Sequence, residues 1–305
     1  IAVIASQQAI TASPISAATV ALLALLADFD ITLLDILMIS IPSTFLGCMI
    51  AAFAVSRKGE ELSEDPEYLK RLEEGLEPIK KDRKEFNAST GSKLSVVLFL
   101  LATVSVVLLG SFEGLRPSWE VDGVVTRMSM AVTIEIVMLS VAAFIILFCK
   151  VKVDEIVSGS VFKAGATAVV AIFGIAWMGD TFFQGNAEFI NGSIANIVTS
   201  FPVLFAVALF VLSILLYSQA ATVRTLMPLG VTLGLNPALL IAMFPAVNGY
   251  FFIPNYPTVV AAINFDRTGT TRIGKYLLNH SFMVPGLVAT IAAILIGLLI
   301  SSFVL

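Results

Sequence analysis

Charge is scarce in this sequence. Lys, Arg, Asp and Glu supply 13% of its 305 residues, about half the share of an ordinary soluble domain. There is one histidine, His280, and there are two cysteines, Cys48 and Cys149. A lone histidine beside a charged loop gives neither a dyad nor a metal site. Two cysteines are too few for a disulfide framework and lack ligand spacing, so both read as small apolar filler. No Gly-rich phosphate loop, paired catalytic carboxylates or nucleophile–base arrangement is present. These absences exclude the common enzyme chemistries, and no enzyme activity, cofactor, metal or nucleic-acid partner is expected. The chain also lacks an initiator Met, and Ile1-Ala-Val-Ile-Ala has no basic region of the kind that opens a signal peptide. The natural N-terminus is therefore expected to lie upstream.

What is abundant is apolar sequence, 58% of residues. A bilayer crossing needs about 20 consecutive apolar residues. Runs of that length occur at Thr32–Val55, Lys93–Phe112, Met128–Cys149 and Phe282–Leu305. Others, such as Phe162–Met178, are interrupted by small or polar residues. The predicted class is an all-α polytopic membrane bundle with lipid as its solvent.

Loop charge sets the expected orientation. From Arg57 to Lys93 there are nine Lys/Arg, half the chain's 18, which places residues 56–92 in the cytoplasm. Within this stretch, Ser63 as N-cap, Pro66 in the first turn and Gly75 at the end predict a short helix. Asp28-Phe-Asp30 and the region Glu113–Arg127 then fall outside. Asp266–Lys275, with three bases, falls inside.

Sliding the chain on itself by 243 positions superposes Pro14 on Pro257 and Pro42 on Pro285, a shared spacing of 28. Each copy reads as a broken helix, a short loop, and a long helix with proline near its start. Because one linker is external by charge and the other internal, the copies run in opposite directions, an inverted-topology repeat of the kind found in secondary transporters. The domains expected are the C-terminal part of a first repeat at 1–55, a polar loop at 56–92 and a second repeat at 93–305. Only 13 residues precede Pro14, so much of the first repeat is expected upstream.

A helix broken within a membrane must line a cavity or be buried in protein, because lipid offers its backbone no partner. Thr11-Ala-Ser13-Pro14-Ile-Ser16 and Asn255-Tyr256-Pro257-Thr258 both read as new helix starts, with a polar residue before proline at N1. Free N–H groups there suit an anion. A third element, Ser218-Gln219-Ala-Ala-Thr222-Val-Arg224-Thr225, lies between the apolar runs Phe201–Leu216 and Leu229–Leu235. The second run is too short to span, which predicts a re-entrant hairpin with its tip at Ser218–Thr222.

The candidate substrate-binding set is therefore Thr11, Ser13, Ser16, Ser218, Gln219, Thr222, Thr225, Asn255, Tyr256 and Thr258. Arg224 either joins this set as a carboxylate ligand or snorkels to an interface. Hydroxyls in such helices also bond back to their own backbone or glue neighbouring helices, and the two prolines also read as simple kinks. Glu135 is a further intramembrane candidate, and Asp180 reads as a helix end.

At Ile10-Thr-Ala-Ser-Pro-Ile-Ser-Ala-Ala18, Arg71-Leu-Glu-Glu-Gly-Leu76, Phe162-Lys-Ala-Gly165, Ala176-Trp-Met-Gly-Asp-Thr-Phe182, Leu216-Tyr-Ser-Gln-Ala-Ala-Thr222 and Phe265-Asp-Arg-Thr-Gly-Thr-Thr-Arg-Ile-Gly-Lys275, the sequence resembles the Dcu family of anaerobic C4-dicarboxylate transporters, and its DcuA branch more than its DcuB branch. The resemblance covers essentially the whole chain. It implies a multi-pass bacterial inner-membrane carrier exchanging fumarate, succinate, malate and aspartate, with kinship to elevator-type ion transporters and a homodimeric state. It also implies that relatives begin before Ile1, with the first hairpin tip of the site outside this chain. A membrane-embedded sensor or partner subunit that binds dicarboxylate without net transport is the alternative.

Overall fold

A computed structural model of the chain describes residues 1–57, 61–75, 88–121, 124–159, 200–216, 218–254, 256–266, 268–276 and 278–305, with scattered residues between 162 and 198. The run Phe162–Met178 and the candidates Asp180 and Asn255 lie outside the described residues, apart from isolated positions in that run.

The long helices follow the apolar runs closely: α3 is Leu33–Ser56, α5 Thr90–Ser111, α6 Met130–Phe148 and α12 Met283–Val304. Among the described residues, four segments are long and apolar enough to cross a membrane, namely α3, α5, α12 and the interrupted stretch Ala2–Leu25. Their starts are set by local chemistry. Thr32 and Asp35 form a capping box, with Asp35 Oδ2 accepting the Thr32 N–H at 2.8 Å and Thr32 Oγ1 accepting the Asp35 N–H at 3.3 Å. Ser89 and Ser129 cap α5 and α6 by accepting N–H groups three residues on.

Which face each helix buries identifies the solvent. In α3 the buried positions include Ser40, Ser43, Thr44, Gly47 and Ala51, whereas Phe45 and Phe53 are 63% and 69% exposed. Leu33, Ile36, Leu37 and Ile39 are buried near its start, but from Ser40 onward small and hydroxylated residues face protein and large apolar ones face outward. That is the inverse of a water-soluble helix, and it is the pattern expected where lipid surrounds the bundle and close backbone approach drives association. The largest helix–helix contact joins α3 to α12. At its centre, a Cβ on Gly47 would lie 2.7 Å from Ala289 O and 2.9 Å from Ala293 N.

Between the long helices lie shorter ones. They are α1 (Ala2–Gln8), α2 (Ala17–Leu25), α7 (Val153–Ser158), α8 (Leu204–Leu216), α9 (Gln219–Thr232), α10 (Pro237–Met243) and α11 (Pro257–Phe265). The 13 residues of α8 and the 14 of α9 each rise only about 20 Å, short of a roughly 30 Å hydrocarbon core. They pack against each other.

Four expectations need correction. The polar-loop helix is α4 (Pro66–Glu73), and its cap is Asp65, not Ser63: Asp65 Oδ1 accepts the N–H groups of Glu67 at 2.9 Å and Tyr68 at 3.2 Å. A carboxylate directly before a proline at N1 is nearer those donors and suits the positive helix end. The region Glu113–Arg127 contains a hairpin, β1 (Ser118–Val121) paired antiparallel with β2 (Val124–Arg127), in addition to loop. The 243-residue offset does not match the spacing of the elements: Ala17 to Pro257 is 240 positions and Leu33 to Met283 is 250. Pro42 is consequently the tenth residue of its helix, whereas Pro285 is the third. The helix start expected at Pro14 is also displaced, as described below.

The basic loop after α11 is held by one carboxylate. Asp266 accepts from the Thr268 hydroxyl at 2.6 Å, the Thr268 N–H at 2.9 Å and the Thr271 N–H at 2.7 Å. Burial alone would raise its pKa, but these bonds hold it well below the ordinary value of 3.8. A depressed folded value means the stabilisation is present above the unfolded pKa and is lost only as pH falls through the folded one, so the loop keeps its shape at neutral and mildly acidic pH. Arg272 then pairs with Asp65 at 3.6 Å, tying this loop to the start of α4.

Candidate functional site

Three interruptions of helical structure determine the site. After α1 the chain tightens into a 3-10 turn at Ala9–Ala12, then turns at Pro14-Ile15 before α2 begins. The helix ends because Pro14 lacks an N–H, and Ser13 is forced extended, as residues before proline are. The new start is three residues later than expected. Ser16 is the N-cap, its Oγ accepting the Thr19 N–H at 3.1 Å, and Pro14 lies in the preceding turn, not at N1. Ser16 holds this position because its side chain lies three residues before a free N–H, whereas Ser13 is separated from the helix by the turn.

The second break separates α8 from α9. Ser218 caps α9 by accepting the Ala221 N–H at 3.2 Å. The tip is therefore confined to the residues around Ser218, and Gln219–Thr222 already form the first turn of α9. The third break is the longest. Helix α10 gives way to 3-10 turns at Phe244–Val247 and Gly249–Phe251, and α11 starts at Pro257 with Tyr256 as N-cap, as the sequence predicts. Among the described residues no side chain caps α11, which leaves the N–H groups of its first turn without a side-chain acceptor there.

These breaks meet at a buried cluster of amides. Asn248, fully buried between the two 3-10 turns, is its hub. Its Nδ2 donates to Gln8 Oε1 at 3.0 Å and lies 3.2 Å from Pro245 O and 3.4 Å from Thr11 Oγ1. Its Oδ1 accepts from Gln219 Nε2 at 3.1 Å, and Gln219 Nε2 also reaches Gln7 Oε1 at 3.5 Å. Gln8 Nε2 donates in turn to Thr290 Oγ1 of α12 at 2.7 Å. An unpaired buried amide group costs about 1–3 kcal/mol, so this set forms as a unit. One amide nitrogen carries only two hydrogens, yet Asn248 Nδ2 faces three acceptors.

Of the candidate residues, Thr11 and Gln219 are thus brought together through Asn248. Ser16 and Ser218 act as helix caps. The Thr222 hydroxyl donates back to Ser218 O at 2.8 Å, within its own helix. Ser13 and Thr225 are half-buried. Tyr256 packs its ring 5.6 Å from that of Tyr250, whose hydroxyl donates to Ile4 O at 3.2 Å, so the α11 start lies beside α1. The Thr258 Oγ1 is buried with no hydrogen-bond partner among the described residues. Arg224 is exposed on α9 and Glu135 is exposed on α6, unlike the buried amides of the cluster.

Gln7, Gln8, Asn248 and Thr290 escaped the sequence reading, which searched for helix breaks and hydroxyls flanking prolines. A signal existed. Uncharged amides inside otherwise apolar runs, as in Ser6-Gln-Gln8 and Val247-Asn248-Gly, are costly in a membrane unless they are satisfied by one another. His280 is also engaged. Its Nδ1 accepts the Phe282 N–H at 3.2 Å and its Nε2 faces Phe252 O at 3.2 Å, tying the loop after α11 to the third break. Burial lowers its pKa, partly opposed by the Phe252 contact, so it is neutral at pH 7.

The family described as anaerobic C4-dicarboxylate membrane transporter matches residues 1–305. The chain is 43% identical over 307 residues to C4-dicarboxylate transporter DcuA of Escherichia coli K12, covering all of this chain and 70% of that protein. To DcuA of Wolinella succinogenes it is 40% identical over 305 residues, with the same coverage. To anaerobic C4-dicarboxylate transporter DcuB of Escherichia coli O6:H1 it is 36% identical over 304 residues, covering 96% of this chain and 67% of that protein. No solved structure matches.

Proposed function

Because the chain belongs to the anaerobic C4-dicarboxylate membrane transporter family, we propose that it is a multi-pass bacterial inner-membrane carrier that exchanges C4-dicarboxylates such as fumarate, succinate, malate and aspartate. The observation that carries this reading beyond membership is the buried amide cluster joining Thr11 and Gln219 where three helix breaks meet. A dianion needs donors and positive dipole ends. The cluster and the starts of α2, α9 and α11 offer both without a fixed cation, which suits a site that must release its substrate on either side. In this reading Thr11, Ser13 and Ser16 line one side. Ser218, Gln219, Thr222 and Thr225 line the second, and Asn255, Tyr256 and Thr258 the third.

The architecture proposed with it is an inverted repeat. Two nine-residue half-helices, α2 and α11, each precede a long helix, and those long helices, α3 and α12, pack on each other. The pair α8–α9, too short to span, is the re-entrant hairpin, with residues 56–92 in the cytoplasm. The carrier works as a homodimer.

Radiolabelled succinate uptake into proteoliposomes preloaded with fumarate tests the function, and absence of exchange overturns it. Thr258 offers a sharper test of the site. Thr258→Val keeps the shape and removes a hydroxyl that has no partner among the described residues. The expected result is unchanged or slightly raised thermal stability with an apparent KM for succinate raised at least about tenfold, the loss of one hydrogen bond to a charged group being about 1.5 kcal/mol at the lower end. An unchanged KM removes Thr258 from the site.

A further inference from the structure

The amide cluster contains a group that no sequence motif marked, and its surroundings suggest a specific role. Resting on the reading that this site takes a C4-dicarboxylate, we propose that Asn248 binds a substrate carboxylate directly, and that Ser213, a residue of α8, is the positioning residue that aims it.

The case starts at the backbone. Asn248 sits in neither α10 nor α11 but between two 3-10 turns, where its side-chain direction is not fixed by a regular helix. The next residue is anchored instead. Ser213 Oγ accepts the Gly249 N–H at 2.9 Å and donates its own proton to Phe210 O at 2.7 Å. The two segments approach so closely that a Cβ on Gly249 would lie 2.5 Å from Ser213 Oγ and 2.7 Å from Phe210 O. Ser213 is itself 2% exposed. This contact binds the break to α8, and α8 leads directly into the turn that carries Gln219. Asn248 and Gln219 are thereby presented from two elements held to a single support.

The chemistry of the cluster is acceptor-rich where Asn248 donates. Gln8 Oε1, Thr11 Oγ1 and Pro245 O compete for its two protons. Gln219 Nε2 donates to two further amide oxygens, those of Asn248 and Gln7. A carboxylate accepts only, and accepts more strongly than an amide oxygen because it is charged. When it enters, the Nδ2 of Asn248 and the Nε2 of Gln219 turn their protons from neutral protein acceptors to its oxygens, while Gln8 stays anchored through its own Nε2, which donates to Thr290 Oγ1. The cluster is then a clasp whose internal bonds hold it shut without substrate and exchange, one for one, for bonds to the carboxylate.

The experiment uses the full-length protein in proteoliposomes, with succinate as the probe, together with succinate-dependent thermal protection in detergent as a transport-independent readout. Asn248→Ala and Ser213→Ala are each expected to raise the apparent KM for succinate at least about tenfold and to weaken thermal protection to match. Ser213→Thr retains the hydroxyl and is expected to recover KM to within about threefold of the parent. A purely structural role for Ser213 would lower the yield of folded protein and Vmax while leaving KM and the protection midpoint in place. If the parent protein exchanges succinate but both alanine variants keep its KM and protection, the inference is overturned while the transport reading stands. If Ser213→Thr fails to recover KM, the positioning role is overturned. If the parent neither exchanges nor is protected by any C4-dicarboxylate, it is the transport reading that fails.

Discussion

Succinate–fumarate exchange is expected to fall at least about a hundredfold in a Gln219→Glu variant, at unchanged protein level. Gln219 is the first residue of α9, and its side chain reaches the amide cluster, with its Nε2 3.1 Å from Asn248 Oδ1. Glutamate has the same length and shape but replaces both donor protons with a charge. In the site proposed here, that removes hydrogen bonds worth about 1.5–3 kcal/mol to a charged substrate and adds like-charge repulsion against a dianion. Because about 1.4 kcal/mol is a factor of ten, a loss near 3 kcal/mol gives the hundredfold figure. The fold should survive, since an acidic group in the first turn favours the positive helix end. Initial rates of labelled succinate uptake measure the effect. Arg224→Gln is the control on the same helix. Arg224 is exposed and outside the cluster, so rates within twofold of the parent are expected. Normal exchange by Gln219→Glu would place the substrate elsewhere.

The second large effect is on assembly. Gly47→Val is expected to abolish recovery of folded, monodisperse protein. Helices α3 and α12 form the largest contact in the described structure, and they meet backbone to backbone at Gly47. Any Cβ there lies 2.7 Å from Ala289 O and 2.9 Å from Ala293 N, both main-chain atoms that cannot rotate away. Ordinary overpacking costs about 1–3 kcal/mol, and a clash with backbone on a rigid helix lies at or above the top of that range. Lipid supplies no hydrophobic drive to press the helices back together. Size-exclusion profiles and thermal midpoints in detergent read the outcome. A Cys48→Ala variant, one residue along and half-buried, should behave like the parent, and a Gly47→Val protein with parental stability would contradict the packing described.

Much of this molecule is legible in its residues. The four long apolar runs, the proline-broken segments at Pro14 and Pro257, and the family itself follow from composition and local motif. The reason is that the constraint imposed by lipid is local: each backbone group must be satisfied within its own segment, so apolar length and breaks are written consecutively. Helix caps were less well read. Ser13 and Ser63 were plausible caps in isolation, but Ser16 and Asp65 hold the position because competition among nearby acceptors is settled by the turn geometry around each proline. The shared proline spacing does not coincide with matching helix positions, because Pro42 is the tenth residue of α3 and Pro285 the third of α12.

The sequence by itself thus determined the class, the spans and the places where helices stop. Only the tertiary structure decided what those stops hold. Gln8 lies 240 positions from Asn248, and Gln219 lies 212 from Gln7. No local pattern reports such pairings, because an amide in an apolar run is costly until another element supplies its partner. The partner becomes visible only once the breaks have folded against one another.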